Sequence, residues 1–142
     1  MHILVAGYIP LKENNAMKKI LYTKSAPEPI GPYSQAIQAG GFIFVSGQIA
    51  IDSSTGDLLI TEDIAAETEL VLNNLQSILQ AAGYSMQDVV KCSIFLKNMQ
   101  QFAEVNAVYG KYFQSDPPAR ETVEVSALPK GVRVEISAIA YK

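Results

Sequence analysis

Arg120, Glu135 and Tyr33 are the side chains of this 142-residue sequence best suited to chemistry on a small acidic molecule. Arg120 carries a permanent planar charge that can grip a carboxylate through two parallel hydrogen bonds; a structural salt bridge is the plainer reading. Glu135 stands in a β-rich stretch, where a carboxylate can position or deprotonate a water or can simply face solvent. Tyr33 follows a loop stiffened by Pro27, Pro29, Gly31 and Pro32. That stiffness limits the entropy lost in presenting its ring and hydroxyl to a ligand, with aromatic packing as the alternative.

The composition narrows the chemistry further. His2 is the only histidine and Cys92 the only cysteine, so Ser-His-Asp and Cys-His mechanisms and His- or Cys-built metal sites are excluded, and no metal or cofactor is expected. Cys92 falls on the apolar side of a strand and reads as a buried hydrophobe. The net charge of −3 and the pI near 5.1 argue against nucleic acid and anionic membrane as partners. Hydrophobic residues make up 49% of the chain. That share fits either a well-filled core or a surface covered by another subunit. No apolar run reaches the ~18 residues of a membrane span. Ile3 to Pro10 is too short and lacks the basic start of a signal peptide, so a cytoplasmic location is expected.

The elements that must hold these residues follow from patterning. Residues 1–16 read as an extension ahead of a single domain over residues 17–142. Lys19 to Thr23 predicts a short strand; Ser34 to Ala39 and Phe42 to Ser46 flank Gly40-Gly41, a hairpin signal. Thr61, with Glu62 and Asp63 after it, predicts a helix start. Ile64, Val71, Leu75, Ile78, Leu79 and Ala82 continue the helix to a stop at Gly83. Val89 to Lys97 predicts a strand with Val90, Cys92, Ile94 and Leu96 on one face. Phe102, Val105, Tyr109 and Tyr112 mark a second helix that ends before Asp116-Pro117-Pro118. Ala119 to Val125 and Arg133 to Tyr141 are strands joined by a Leu128 to Gly131 turn.

The order β-β-β-α-β-α-β-β implies an α+β fold with both helices on one face of a mixed sheet. In the last strand, Val134, Ile136, Ala138 and Ala140 form an apolar row suited to the helices, and Glu135 points the other way. In Ala119 to Val125, assigning the apolar row to the helices places Arg120 and Thr122 on the non-helical side with Glu135.

With these residues in place, the sequence resembles the Rid (YjgF) family over essentially all of residues 18–142. The resemblance is carried by Ile30-Gly31-Pro32-Tyr33-Ser34-Gln35-Ala36, Val45-Ser46-Gly47-Gln48-Ile49, Asn73-Asn74-Leu75 and Ala81-Ala82-Gly83. It continues through Val105-Asn106, Pro118-Ala119-Arg120, Leu128-Pro129, Val134-Glu135-Ile136 and Ala138-Ile139-Ala140. It implies a chorismate-mutase-like fold assembled as a homotrimer with clefts between subunits. The implied activity is cofactor-independent hydrolysis of 2-aminoacrylate and of 2-imino acids to 2-oxo acids and ammonia. The implied site joins Arg120 on the substrate carboxylate with Glu135, Tyr33, Ser46 and Gly47. Asn106 either supports that site or makes a structural hydrogen bond. Thr122 is a further substrate-binding candidate at a position where the family's deaminases usually carry Cys. Two rival functions stay open: a regulator that binds a small 2-oxo acid without turnover, and an endoribonuclease or translation inhibitor.

Overall fold

The computed structural model describes residues 17–142; the expectations for residues 1–16, His2 and Ile3 to Pro10 among them, lie outside the described residues. Six strands and two helices follow the expected order. They are β1 (Lys19–Leu21), β2 (Ala36–Ala39), β3 (Phe42–Gln48), α1 (Ile64–Ala81), β4 (Val89–Leu96), α2 (Phe102–Tyr112), β5 (Ala119–Glu124) and β6 (Val134–Tyr141). One mixed sheet runs β1-β2-β3-β6-β4-β5, antiparallel except for the parallel β4–β5 pair at one edge. The fold is α+β.

Helix α1 begins two residues later than Thr61 suggests. Asp63 takes the cap, its carboxylate accepting from the Ala65 N–H at 2.9 Å at the positive end of the helix dipole. The helix buries Ile64, Val71, Leu72, Leu75, Ile78 and Leu79, one stripe at 3.6-residue spacing. It packs over β3, β6 and α2. Gly83, at φ +77°, supplies the left-handed turn that stops it. From the sheet, Ile43, Val45, Cys92, Ile94, Leu96, Val134, Ile136, Ala138 and Ala140 meet the helices in one core.

The other sheet face carries no helix. Phe42 and Phe44 stay 44% and 45% exposed there, with Ile20 and Tyr141 at 64% and 54%, and the Phe42 and Tyr141 rings meet at a tilt with centroids 4.8 Å apart. Glu135 projects from this bare face, as expected: it is in register with Phe95, while its neighbours Val134 and Ile136 are buried.

Two assignments of sidedness are corrected. Val90 is 45% exposed, because a register shift between Val89 and Lys91 turns Val89 inward in its place. Arg120 and Thr122 lie on the helical side, not with Glu135. In the parallel pair, Arg120 is in register with Cys92 and Thr122 with Ile94, both core residues. Apolar alternation misleads here because β5 is an edge strand. Its helix-side row is Arg120, Thr122 and Glu124, while Val123 is 41% exposed on the bare face.

Candidate functional site

Residues 27–33 build the first wall of a cavity. Prolines at 27, 29 and 32 remove backbone donors and fix the chain, and the Tyr33 N–H bonds back to the Gly31 carbonyl at 2.8 Å. The Ile30 N–H donates to the Tyr33 hydroxyl at 3.2 Å. That bond occupies a lone pair and leaves the phenolic proton free for a ligand. Behind the wall sits buried Gln35, whose side-chain amide bonds to Thr23, Ala26 and Pro27.

The second wall comes from a β-bulge. Between β3 and β6 the register passes from Val45–Ala138 to Gln48–Ile136, so Ser46 and Gly47 together oppose Ser137. The Ser46 hydroxyl donates to the Ser34 carbonyl at 2.6 Å and its N–H to the Gln35 carbonyl at 2.9 Å. Gly47 lies directly against Glu135. Glu135, Tyr33, Gly47, Ile30 and Pro129 line one cavity, and Ser46 reaches its mouth. Burial alone pushes the Glu135 carboxyl above the ordinary glutamate range. Such a group is a stronger base than a solvated carboxylate and a usable acid nearer neutrality.

Arg120 belongs to a different hollow, lined also by Met99, Phe102 and Thr122. Its guanidinium stacks over the Tyr109 ring at 4.7 Å and the Phe102 ring at 5.6 Å, and Nη1 donates to Asn106 Oδ1 at 2.7 Å. Asn106 therefore orients the guanidinium. The ion pairs among the described residues are Lys91–Glu121 and Arg133–Glu67, so no carboxylate meets the Arg120 charge. The Thr122 hydroxyl is buried without a partner. Cys92, beneath this hollow, has its thiol pushed up to about 11 by burial, against the weaker opposing effects of Tyr109 and Arg120. It stays a protonated core residue.

The expected site residues thus fall into two groups: Tyr33, Ser46, Gly47 and Glu135 in one, Arg120, Asn106 and Thr122 in the other. Counting one intervening strand and three residues of register, the Cα atoms of Arg120 and Glu135 are about 14 Å apart. They also project from opposite faces. Gln35, Phe102 and Arg133 are functional neighbours that the sequence pattern does not mark. Gln35 lies within a motif, and Phe102 sits at a helical spacing that predicts a core position. Arg133 sits in a half-buried pair with Glu67 at 2.8 Å and caps the carbonyls of Thr61 and Glu62. It fixes the start of β6 two residues before Glu135, a long-range contact that leaves no periodic trace.

Comparison with known proteins agrees with this architecture. The family model described as Endoribonuclease L-PSP matches residues 23–142. A RutC family protein of Pyrococcus horikoshii is 55% identical, covering 89% of this chain and 99% of the relative. The 2-iminobutanoate/2-iminopropanoate deaminase of Mus musculus is 44% identical over 91% of this chain and 95% of its own. Among solved structures, the Rid family protein YyfA from Yersinia pestis superposes with a TM-score of 0.85 at 48% identity, covering 88% and 99% of the two chains. TdcF of E. coli with bound serine gives 0.83 at 39% identity, covering 87% and 98%. With its sheet, helices and motifs all in the family's order, the chain belongs to the endoribonuclease L-PSP family, the group also called YjgF or Rid.

Proposed function

We propose that the protein hydrolyses small reactive 2-imino acids and their enamine tautomers to 2-oxo acids and ammonia, in sites assembled between the subunits of a trimer. The observation that carries this reading is the division of the site. One protomer presents an oriented guanidinium with no anion and a half-buried carboxylate whose pKa shift has no cause but burial. The two are too far apart to hold one three- or four-carbon acid. The bare apolar sheet face supplies a surface on which protomers can meet and bring the two halves together. The relatives' names agree: the mouse protein is called a deaminase of these imines, and the E. coli structure carries a small amino acid.

In the composite site Arg120 holds the substrate carboxylate by two parallel bonds. Glu135 takes a proton from a water as its oxygen bonds to the imine carbon, giving a carbinolamine. The same carboxyl group gives that proton to the nitrogen, then takes the carbinolamine hydroxyl proton and passes it to the nitrogen as the C–N bond breaks, so that the carbonyl of the 2-oxo acid forms and ammonia leaves. A carboxyl group raised towards neutrality can serve both steps. The Tyr33 hydroxyl donates to the ligand from the Pro-bounded wall. No cofactor enters the scheme. The nuclease name of the family has little support at the cavity, where Glu28 and Glu135 would repel phosphates.

The test is complementation. Arg120→Ala and Glu135→Gln are each assayed for hydrolysis of freshly generated 2-iminobutanoate, then co-expressed. Each alone is strongly impaired at substrate concentrations below the wild-type KM. In random mixed trimers about a quarter of the seams combine an intact Arg120 with an intact Glu135, so activity returns to about that fraction. Absence of recovery in verified mixed trimers rejects the shared site, and a wild type that leaves the spontaneous rate unchanged rejects the enzyme in favour of a binding regulator.

A further inference from the structure

Gln35 joins the two walls of the Glu135 cavity, and its bonding is unusually complete. The residue is 2% exposed. Its Nε2 donates towards the carbonyls of Thr23 at 3.0 Å, Pro27 at 2.9 Å and Ala26 at 3.3 Å. Its Oε1 accepts from the Thr23 N–H at 2.8 Å, and its backbone carbonyl accepts from the Ser46 N–H at 2.9 Å. One residue therefore fastens the start of the 23–33 loop to the bulge that presents Gly47.

The loop has few other means of attachment. Strand β1 ends at Leu21 and β2 starts at Ala36, and Pro27, Pro29 and Pro32 have no N–H to offer a ladder. Buried carbonyls at positions 26 and 27 need a donor from elsewhere. A side-chain amide is the one neutral group that supplies donors and an acceptor together. Directly after the fastened residues come Glu28, Pro29, Ile30 and Tyr33, which form the outer wall of the cavity.

We infer that Gln35 is a positioning residue that sets the height of the 27–33 wall over Gly47 and Glu135, and thereby the affinity of the cleft for its small acid ligand. This rests on the reading of that cleft as the ligand site. Without the amide, the Thr23, Ala26 and Pro27 carbonyls must turn to water to be satisfied, which swings the wall outward and takes Tyr33 with it. The effect falls on binding. Glu135 and Arg120 remain on their strands, so the chemical step in a bound complex is largely kept.

The experiment uses full-length Gln35→Met, which keeps the volume and removes every side-chain bond, and Gln35→Glu, which keeps an acceptor for Thr23. Tyr84→Phe is the control, since it removes one bond to the Gly41 carbonyl (2.8 Å) away from the cleft. Amide hydrogen exchange, the Kd for 2-oxobutanoate, and KM and kcat for 2-iminobutanoate are measured on each. Both Gln35 variants are expected to speed exchange across residues 23–33 with α1 unchanged. Each also raises Kd and KM by on the order of tenfold, the worth of one to two net hydrogen bonds, with kcat little altered. Tyr84→Phe lowers Tm and leaves Kd alone. Wild-type exchange in the loop, a uniform rise that includes α1, or an unchanged Kd overturns the inference. If the wild type binds 2-oxobutanoate without turning over the imine, the enzymatic reading fails while the Kd comparison still decides the role of Gln35.

Discussion

Gly47 and Glu135 are in such close contact that a Cβ on the glycine would stand 2.8 Å from the Glu135 carboxyl carbon and 2.9 Å from Oε1. No real Cβ tolerates that approach, so the missing side chain is what lets the carboxylate lie against β3. Gly47→Ala is expected to turn Glu135 away from the cavity and lower the rate, at small cost in stability because the atoms in the way are the end of a flexible side chain. Thermal unfolding and initial rates of imine hydrolysis measure the two effects. An alanine variant with the wild-type Tm and rate would show that Glu135 has room to spare.

The raised pKa of Glu135 has two consequences with defined signs. Because burial raises the folded-state value above that of the unfolded chain, the folded protein holds this proton over a pH window in which the unfolded chain has released it. Stability from this group is therefore highest below the unfolded value and falls as pH rises through the window to the folded value. Glu135→Gln removes that slope, so the variant should melt higher than wild type at neutral pH and not at acidic pH. The rate of imine hydrolysis should fall about 10²–10⁴-fold. The acid limb of the wild-type profile should lie above the ordinary glutamate range, and a limb at or below that range removes Glu135 as the base.

The element order was legible because each signal was local. The 3.6-residue stripe of α1, the Gly40-Gly41 hairpin and the prolines after α2 each act within a few residues. Sidedness was legible only where one row was wholly apolar. In β6, Val134, Ile136, Ala138 and Ala140 left Glu135 a single direction. In β5, Ala119, Val123 and Val125 formed a row no better than that of Arg120 and Thr122, and parallel pairing with β4 settled the matter. Gln35 and Arg133 were illegible as organisers of the site because their partners lie 8–12 and 66–72 residues away. No periodicity or turn signal ties the two ends of such a contact together.

On the proposed reading Arg120 awaits a planar anionic group. It stacks on Tyr109 and Phe102 and is fixed by Asn106, which leaves the rest of its fork for a carboxylate. Loss of a charge-assisted pair worth about 1.5–3 kcal/mol corresponds to roughly a 10- to 150-fold rise in KM for Arg120→Ala. Arg120→Lys should recover only a small part of it, since an ammonium neither stacks nor forks in the same way. Steady-state kinetics on 2-iminobutanoate decide this, and full rescue by lysine would mean that charge alone is required.

Thr122 departs from the cysteine that the family resemblance leads one to expect. Its hydroxyl is buried and unpartnered beside Arg120, an unmade hydrogen bond that costs about 1–3 kcal/mol. Thr122→Val is therefore expected to be at least as stable as wild type. It should keep kcat/KM within a small factor, because a hydroxyl closed off from the hollow does not touch the ligand. A loss of activity on the scale of the Arg120→Ala loss would assign the hydroxyl to the substrate and mark the position as one that sets specificity.

The bare sheet face is the proposed seam between subunits. Ile20, Phe42, Phe44 and Tyr141 form a contiguous apolar surface, each between 44% and 64% exposed, larger than the scattered apolar residues an isolated protomer ordinarily shows. A charge placed at its centre is harmless on a free protomer but is stripped of water when subunits meet over it. Phe44→Glu should thus leave the far-UV circular dichroism unchanged while light scattering reports a fall from trimer to monomer mass. The site's two halves sit on opposite faces of one chain, so activity must fall with the mass although no catalytic group has been altered. A monomeric Phe44→Glu variant with wild-type kcat/KM would show that Arg120 and Glu135 never needed to meet across a seam.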